Sequence, residues 1–419
     1  MYALIDCNNF YVSCERLFRP DLRTTPVIVL SNNDGAVISR SNEAKALGMK
    51  MGEPYFKAKA FCKQHKIQVF SSNYTLYRDL SQRVMAVIEQ SWDEVDIYSV
   101  DEAFLDLKSM PVHLHTSFCA DLQKYILKCT GIPTSIGIGP SKTLAKIANH
   151  ICKKELKIPI FNISEQRQWL KKIAVGDIWG VGRQLHKRLV QQGIYTAHDL
   201  AGINLHILRT QYNVVLMRTA MELQGVSCAN VVDAAPKQSI LSSRSFGEMQ
   251  SQYASLAQAI SSHCSNACEK LRAQRSLVKS MYVFVKTNRF REDLGQYNQS
   301  IAISLVNPTD DLRLITHYAK QCLKKIYKPQ FQYKKVGVCL DELVSRDHRQ
   351  LDMFQQADQS LEKTEEFMTV FAAINRRYGR NTIKLAAEGY SKNWAMKSDL
   401  KSPAYTTQWA ELAVVKNYT

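Results

Sequence analysis

The sequence predicts a multidomain α+β protein, and three observations carry that expectation. The chain has 419 residues, room for two to four domains at roughly 150 residues each. Residues 1–170 alternate strand-like and helix-like segments, whereas residues 171–225 keep helical spacing throughout. From residue 239 to 343 the order becomes β-α-β-β-α-β, the split βαβ pattern of a two-layer domain.

In the first stretch, Tyr2–Ile5 and Val27–Leu30 are apolar strands, and Glu43–Gly48 belongs to a helix that a glycine ends. Val95–Val100 and Ala103–Leu107 flank Asp101 and Glu102, which gives a hairpin with two acids at its tip. Ile132–Gly139 is a further strand, followed by a helix from Ser141 to Lys154. Asp177–Leu200 reads as a helix, a glycine turn at Gly180–Gly182 and a second helix. Small residues and Pro236 mark 226–238 as a linker. Ser239–Phe246 is then extended, and Tyr253–Arg275 is a helix with Leu256, Ala259, Ile260 and Leu271 on one side. Met281–Thr287 and Ser300–Val306 are strands. Asp311–Ile326 is a helix with its N-cap expected at Thr309 or Asp310, and Tyr333–Leu340 is the last strand. Residues 344–419 read as a polar tail that regains periodicity near Glu366–Ile374.

Hydrophobic residues are 45% of the chain and aromatics 9%, which excludes wholesale disorder. No apolar run approaches the ~18 residues that crossing a bilayer takes. Asp6 interrupts the first apolar residues at once, so no secretory signal is expected. The 11 cysteines are scattered without a CxxC pair. The closest approach to a zinc site is His263, Cys264 and Cys268, where i and i+4 share a helix face, but a fourth ligand is lacking. Reduced thiols in a cytoplasm are the expected state.

Positive charge narrows the partner to a polyanion. The net charge is +17, and residues 237–335 hold 16 Lys or Arg against 6 Asp or Glu, so one segment carries +10 of it. Asp6 follows one strand and Asp101-Glu102 another, so the three carboxylates can converge on one sheet edge. Hard divalent cations such as Mg²⁺ need such oxygen ligands, and two-metal phosphoryl transfer uses them. Ser141-Lys142-Thr143 approaches a Walker A loop, but serine stands where the motif needs glycine, which argues against a P-loop NTPase. Lys142, Lys146 and Lys153 remain point charges that phosphate could meet. The amides of Gly180–Gly182, with Arg183, Lys187 and Arg188 nearby, suit a backbone phosphate in a helix-hairpin-helix.

The runs ALIDCNNFYVSCE, VIVLSNNDGAVISRSNEAKALGMKMGEPYF, YSVDEAFLDL, GIGPSKTLAKIANH, SSRSFGE and SPAYTT, in this order, resemble the Y-family DNA polymerases of the UmuC type. The resemblance covers essentially the whole chain. It implies a right-hand polymerase with a palm at 1–22 and 72–170 and fingers at 23–71. A thumb at 171–225 would follow, then the linker 226–238 and a little finger at 239–343. The tail 344–419 would hold a clamp-binding peptide and a partner-interaction region.

By the same resemblance, Asp6, Asp101 and Glu102 are the catalytic carboxylates, and with the Cys7 carbonyl they hold two Mg²⁺ ions. Tyr11 is the gate that blocks a ribose 2′-hydroxyl. The Phe10 and Tyr11 amides, Lys45 and Lys153 contact the dNTP triphosphate, and Gly35 and Ala36 cover the templating pair. Asn42 and Lys45 stand where many Y-family members carry Tyr and Arg, so a point charge replaces a planar fork. Gln350, Leu351, Asp352, Met353 and Phe354 resemble the peptide that docks on the bacterial sliding clamp. The implied partners are primer-template DNA, dNTP, the sliding clamp, a UmuD′-like dimer and a RecA filament, with Lys392–Thr419 the place to look for partner contacts. The implied role is error-prone translesion synthesis in the SOS response. The alternative is a non-catalytic DNA-binding and clamp-recruitment protein, for which three convergent acids have no use.

Overall fold

The computed structural model describes residues 1–164, 166–228, 236–348, 359–379, 381–390 and 394–412. The chain divides into two compact units. One comprises Met1–Ser31, Gly35–Val232 and Leu400–Thr419, and the other Asn32–Asp34 and Asp233–Asp399.

In the first unit, β1 (Tyr2–Cys7) is buried along its length except at Asp6. A strand covered on both faces reads as a continuous apolar run, which is why Tyr2–Ile5 stands out in the sequence. Helix α1 (Phe10–Phe18) follows Asn9, whose left-handed φ of 47° asparagine tolerates better than most residues. Next come β2 (Val27–Leu30), β3 (Val37–Arg40), α2 (Asn42–Ala46), α3 (Tyr55–Gln64) and β4 (Gln68–Ser71). Their three strands form a small sheet in the order β3-β2-β4, with a core of Ile28, Leu30, Val37 and Met49.

The chain continues through α4 (Tyr74–Ser91), β5 (Val95–Ile97), β6 (Glu102–Asp106), α5 (His115–Thr130), β7 (Thr134–Gly139), α6 (Lys142–His150) and β8 (Ile160–Asn162). Strands β5-β6-β1-β7-β8 make a five-stranded sheet in which only β7 and β8 are parallel. Helix α6 lies directly on β7, because a Cβ at Gly137 would fall 2.2 Å from the backbone N of Asn149. A π-helical turn, Ile151–Leu156, extends α6 and carries Lys153.

Helices α7 (Arg183–Gln191), α8 (Ala197–Ala201), α9 (Leu205–Gln211) and α10 (Val214–Leu223) complete the helical stretch, with Leu189, Leu200, Leu208, Leu216 and Leu223 in their core. The helix expected before the Gly180–Gly182 turn is instead one 3₁₀ turn, Val175–Asp177. The backbone turns extended at Ile178 (φ −74°, ψ 136°) and left-handed at Gly180, which ends the turn before an α-helix can form.

In the second unit, β9 (Ile240–Gln250), α11 (Tyr253–Ala273), β10 (Ser276–Thr287), β11 (Asn298–Thr309), α12 (Leu312–Ile326) and β12 (Tyr333–Ser345) give the split βαβ order. The antiparallel sheet runs β11-β10-β12-β9. Leu256, Ile260 and Leu271 from α11 meet Val283, Val336 and Leu340 from the strands in one core. The N-cap of α12 is Asp311, whose carboxylate accepts from the Arg313 amide. That is later than Thr309 or Asp310, because β11 extends to Thr309 and Asp310 is held by Arg272 at 2.6 Å.

Residues 344–419 are not one separate tail. Helix α13 (Gln359–Tyr378) places Met368 in the core of the second unit, where Trp394 is also buried. Residues 400–412 belong to the first unit, where Lys401 bridges Ser71 in parallel and Tyr405 stacks on Phe18 at 4.6 Å. The proposed clamp peptide, Gln350–Phe354, lies outside the described residues.

Candidate active site

Strand register brings the acids together. Asp6 of β1 pairs with Glu102 of β6, and Asp101 immediately precedes Glu102. Directly opposed antiparallel residues sit about 4.5–5.5 Å apart at Cα, so carboxylates nearly a hundred residues apart in sequence share one sheet edge. The loop between β5 and β6 is fixed locally. Ser99 Oγ donates to Asp101 Oδ1 at 2.6 Å and accepts from the Asp101 and Glu102 amides. The Cys7 amide donates to the Asp101 carbonyl at 2.8 Å, tying the loop to β1.

Lysines already answer these acids. Lys153 pairs with Asp6, and Lys146 holds both Glu102 oxygens at 2.9 and 3.0 Å. Burial pushes the Asp6 carboxyl up to about 6; Lys153 pulls against it, and Glu102 and Asp101 add repulsion. The three acids are therefore within electrostatic reach of one another, and their environment calls for positive charge. As the side chains stand, no three His, Cys, Asp or Glu among the described residues converge closely enough to hold an ion. Their donor chemistry, three carboxylates and a backbone carbonyl, fits a hard divalent cation that would take over the role of the two ammonium groups.

The other expected site residues fall around this edge or away from it. Phe10 is buried and Tyr11 half-buried at the start of α1, where first-turn amides have no intrahelical acceptor. Asn9 provides no side-chain cap there. Tyr11 stacks on Tyr77 at 4.5 Å, and Tyr74 meets both rings edge-on at 6.1 Å. Lys45 reaches Asn9 Oδ1 at 2.5 Å, which brings α2 to the start of α1. Burial, with Arg40 and Lys153 nearby, lowers its ammonium pKa. Gly35 is exposed and Ala36 half-buried before β3, and the Ala36 amide donates to Ser31 Oγ. Gly180, with φ of 89°, Gly182 at the N-cap of α7, and Arg183 are all exposed in the helical stretch, on elements other than those that carry the acids.

Lys142 is not available to phosphate. It is buried and pairs with Asp96 at 2.6 Å. Sequence reading missed the residues that hold the site in shape: Ser99, Glu15, Tyr77, and the aromatic box of Tyr98, Phe104 and Trp179 around Lys146. The Lys146 ammonium lies 4.4, 5.9 and 5.3 Å from those three ring centres, and Trp179 Nε1 donates to the Tyr98 hydroxyl. The one available signal was the spacing of Lys142 and Lys146, one helical turn apart behind a strand.

A five-stranded sheet with acids on adjacent strands, a small second sheet, a helical bundle and a separate split βαβ unit together define the Y-family DNA polymerase fold. Solved structures share it. A Y-family polymerase chimera of Dbh and Dpo4 aligns with a TM-score of 0.64 at 19% identity, covering 82% of this chain and 99% of that one. An insertion ternary complex of Dbh DNA polymerase aligns at 0.53 and 20% identity, with the same coverage.

The chain belongs to the impB/mucB/samB family: its family models match residues 5–150 and, for the C-terminal domain, 237–353. It is 43% identical to Protein UmuC of Salmonella typhimurium over 99% of this chain and all of that one. Protein MucB of Escherichia coli is 37% identical over 99% of each chain, and DNA polymerase IV of Bacillus velezensis 28% over 91% and 92%. Residues 365–415 match a domain of unknown function, DUF4113.

Proposed function

We propose that this chain is a DNA-directed DNA polymerase for error-prone translesion synthesis, adding a dNTP to a primer 3′-hydroxyl. The reading is carried by one observation: Asp6 and Glu102 are register partners on neighbouring strands with Asp101 beside them. Two Mg²⁺ ions held by Asp6, Asp101, Glu102 and the Cys7 carbonyl would activate the hydroxyl and neutralise charge on the phosphates. Lys153 leaves Asp6 to meet the triphosphate, together with Lys45 and the Phe10 and Tyr11 amides. The Tyr11 ring, backed by Tyr77, fills the space a ribose 2′-hydroxyl would need. Gly35 and Ala36 present little side chain over the templating pair, which leaves room for a distorted base. Gly180, Gly182 and Arg183 contact a DNA backbone phosphate without reading sequence.

The protein works in the cytoplasm, and no helix among the described residues is long and apolar enough to cross a membrane. Gln350–Phe354 docks on the sliding clamp, and full activity draws on a UmuD′-like dimer and a RecA filament in the SOS response. A purely recruiting, non-catalytic protein is not favoured, since half-buried acids that repel one another cost stability and would serve no purpose in it. The deciding experiment is primer extension by Asp101→Ala. Extension should fall by about a thousandfold or more while DNA affinity is kept. Retained extension would remove Asp101 from the site.

A further inference from the structure

The C-terminal stretch, within the 365–415 match to a domain of unknown function, reaches the hydrogen-bond network behind Tyr11. Residues 400–405 lie along the first unit as a strap. The Ser71 amide donates to the Leu400 carbonyl at 3.0 Å, and the Leu400 amide donates to Ser71 Oγ at 3.0 Å. Asn73, fully buried at the N-cap of α4, donates to the Ser402 carbonyl at 3.2 Å, to Ser402 Oγ at 3.0 Å and to the Pro403 carbonyl at 3.2 Å. Three residues on, Tyr405 stacks flat on Phe18 at the end of α1. The strap thus fastens both to α1, which carries Tyr11, and to the start of α4, which carries its stacking partner Tyr77.

Ser402 continues inward. Its hydroxyl donates to Glu15 Oε1 at 3.0 Å, and the Tyr77 hydroxyl donates to the same oxygen at 2.7 Å. Glu15 and Tyr77 are buried. Glu15 stands four residues after Tyr11, on the same face of α1, and the Tyr77 ring is the one against which Tyr11 stacks. A tyrosine fixed at its hydroxyl cannot slide along its neighbour's face, so the height of the Tyr77 ring is set by Glu15, and that of Glu15 by Ser402.

We propose that the strap positions the Tyr11 gate, with Ser402 and Asn73 as positioning residues acting through Glu15 and Tyr77, so that this segment sets sugar selection. The proposal rests on the reading of Tyr11 as the gate. It gives the end of the uncharacterised domain a role in specificity that needs no contact with nucleotide.

The test compares kcat/KM for a dNTP and the matching rNTP in single-nucleotide primer extension by the full chain. Ser402→Ala should lower the preference for the dNTP by about tenfold, the scale set by one buried hydrogen bond to a charged acceptor. Tyr77→Phe, which keeps the ring and loses the hydroxyl, should do the same, and serves if Ser402→Ala does not fold. Neither change should add to the loss in a Tyr11→Ala background, because both act through that ring. Unchanged discrimination in Ser402→Ala and Tyr77→Phe, with Tyr11→Ala admitting ribonucleotides, overturns the strap proposal and leaves the gate standing. Full additivity with Tyr11→Ala also overturns it, since the strap would then act elsewhere. If Tyr11→Ala itself leaves sugar preference intact, the gate reading falls and the proposal falls with it.

Discussion

Glu15 is a buried carboxyl with both of its donors on one oxygen; Oε2 has no hydrogen-bond partner among the described residues. Burial raises its pKa above the ordinary 4.5, although the Tyr77 and Ser402 hydroxyls pull it down. The native state therefore holds this proton more tightly than the unfolded chain. The group's contribution to stability is fully present below the ordinary value and is lost as pH rises through the raised one. Glu15→Gln keeps an acceptor oxygen and removes the charge. Urea unfolding of variant and parent should show a difference in midpoint that moves in favour of the variant as pH rises from 4 to 8. A difference that does not change with pH would mean that Glu15 titrates alike in both states. Nothing in the sequence marks this residue, because its partner Ser402 stands 387 positions away and hydropathy patterns report only neighbours along the chain. Lys142 misled for the same reason: Asp96, from β5, turns a solvated lysine into a buried pair.

Helix α6 shows how an element is set by what caps it. Ser141 accepts from the Leu144 amide at the N-cap, and Glu222 of α10 accepts from both the Thr143 amide and hydroxyl, at 2.9 and 2.6 Å. Ser141 Oγ donates in turn to the Glu222 carbonyl. A carboxylate at a helix N-terminus answers both the orphan amides and the dipole. Glu222→Ala should thus cost about 2–4 kcal/mol, as a buried donor pair loses its charged acceptor. Chemical denaturation would show this as a lower midpoint. Because α6 carries Lys146, and Lys153 on its π turn, dNTP incorporation should weaken alongside stability. An unchanged midpoint would mean that Thr143 finds another acceptor.

Elements of this kind were legible in the sequence to differing degrees. The split βαβ order was, since its strands are β-branched and its helices keep a clean 3.6 period. The strand ends were not: β10 starts at Ser276, where a register shift against β11 between Val278 and Ser280 breaks the alternation, and β12 runs on to Ser345 because backbone pairing continues through polar positions. Asp6, Asp101 and Glu102 could be named from sequence as acids ending strands. The hairpin with acids at its tip was legible too; that it pairs beside β1, making Asp6 and Glu102 register partners, is what no local pattern states.

Across the whole molecule, the charge excess has a defined location. Within the second unit several cations are already spent on acids: Arg272 pairs with Asp310, Arg313 with Asp311, and Arg291 with Asp293. Arg244, Lys279 and Lys286 are exposed on β9 and β10 and carry no ion pair among the described residues. Helices α11 and α12 cover the sheet face of Val285 and Val336. Lys286 alternates to the other face, and Arg244, the register partner of Val336, is on edge strand β9, so the open face and that edge are the natural track for a phosphate backbone. Each phosphate neutralised releases counterions, and the slope of log affinity against log salt counts them at about 0.9 per contact on duplex DNA. Replacing Arg244, Lys279 and Lys286 together by alanine should reduce that slope by about 2–3 and weaken binding alike for every template sequence. Fluorescence anisotropy of labelled primer-template across a salt series measures both quantities. A slope unchanged from the parent would place the DNA track on other cations of the chain. An effect that differed between templates would mean that these residues read bases rather than phosphates.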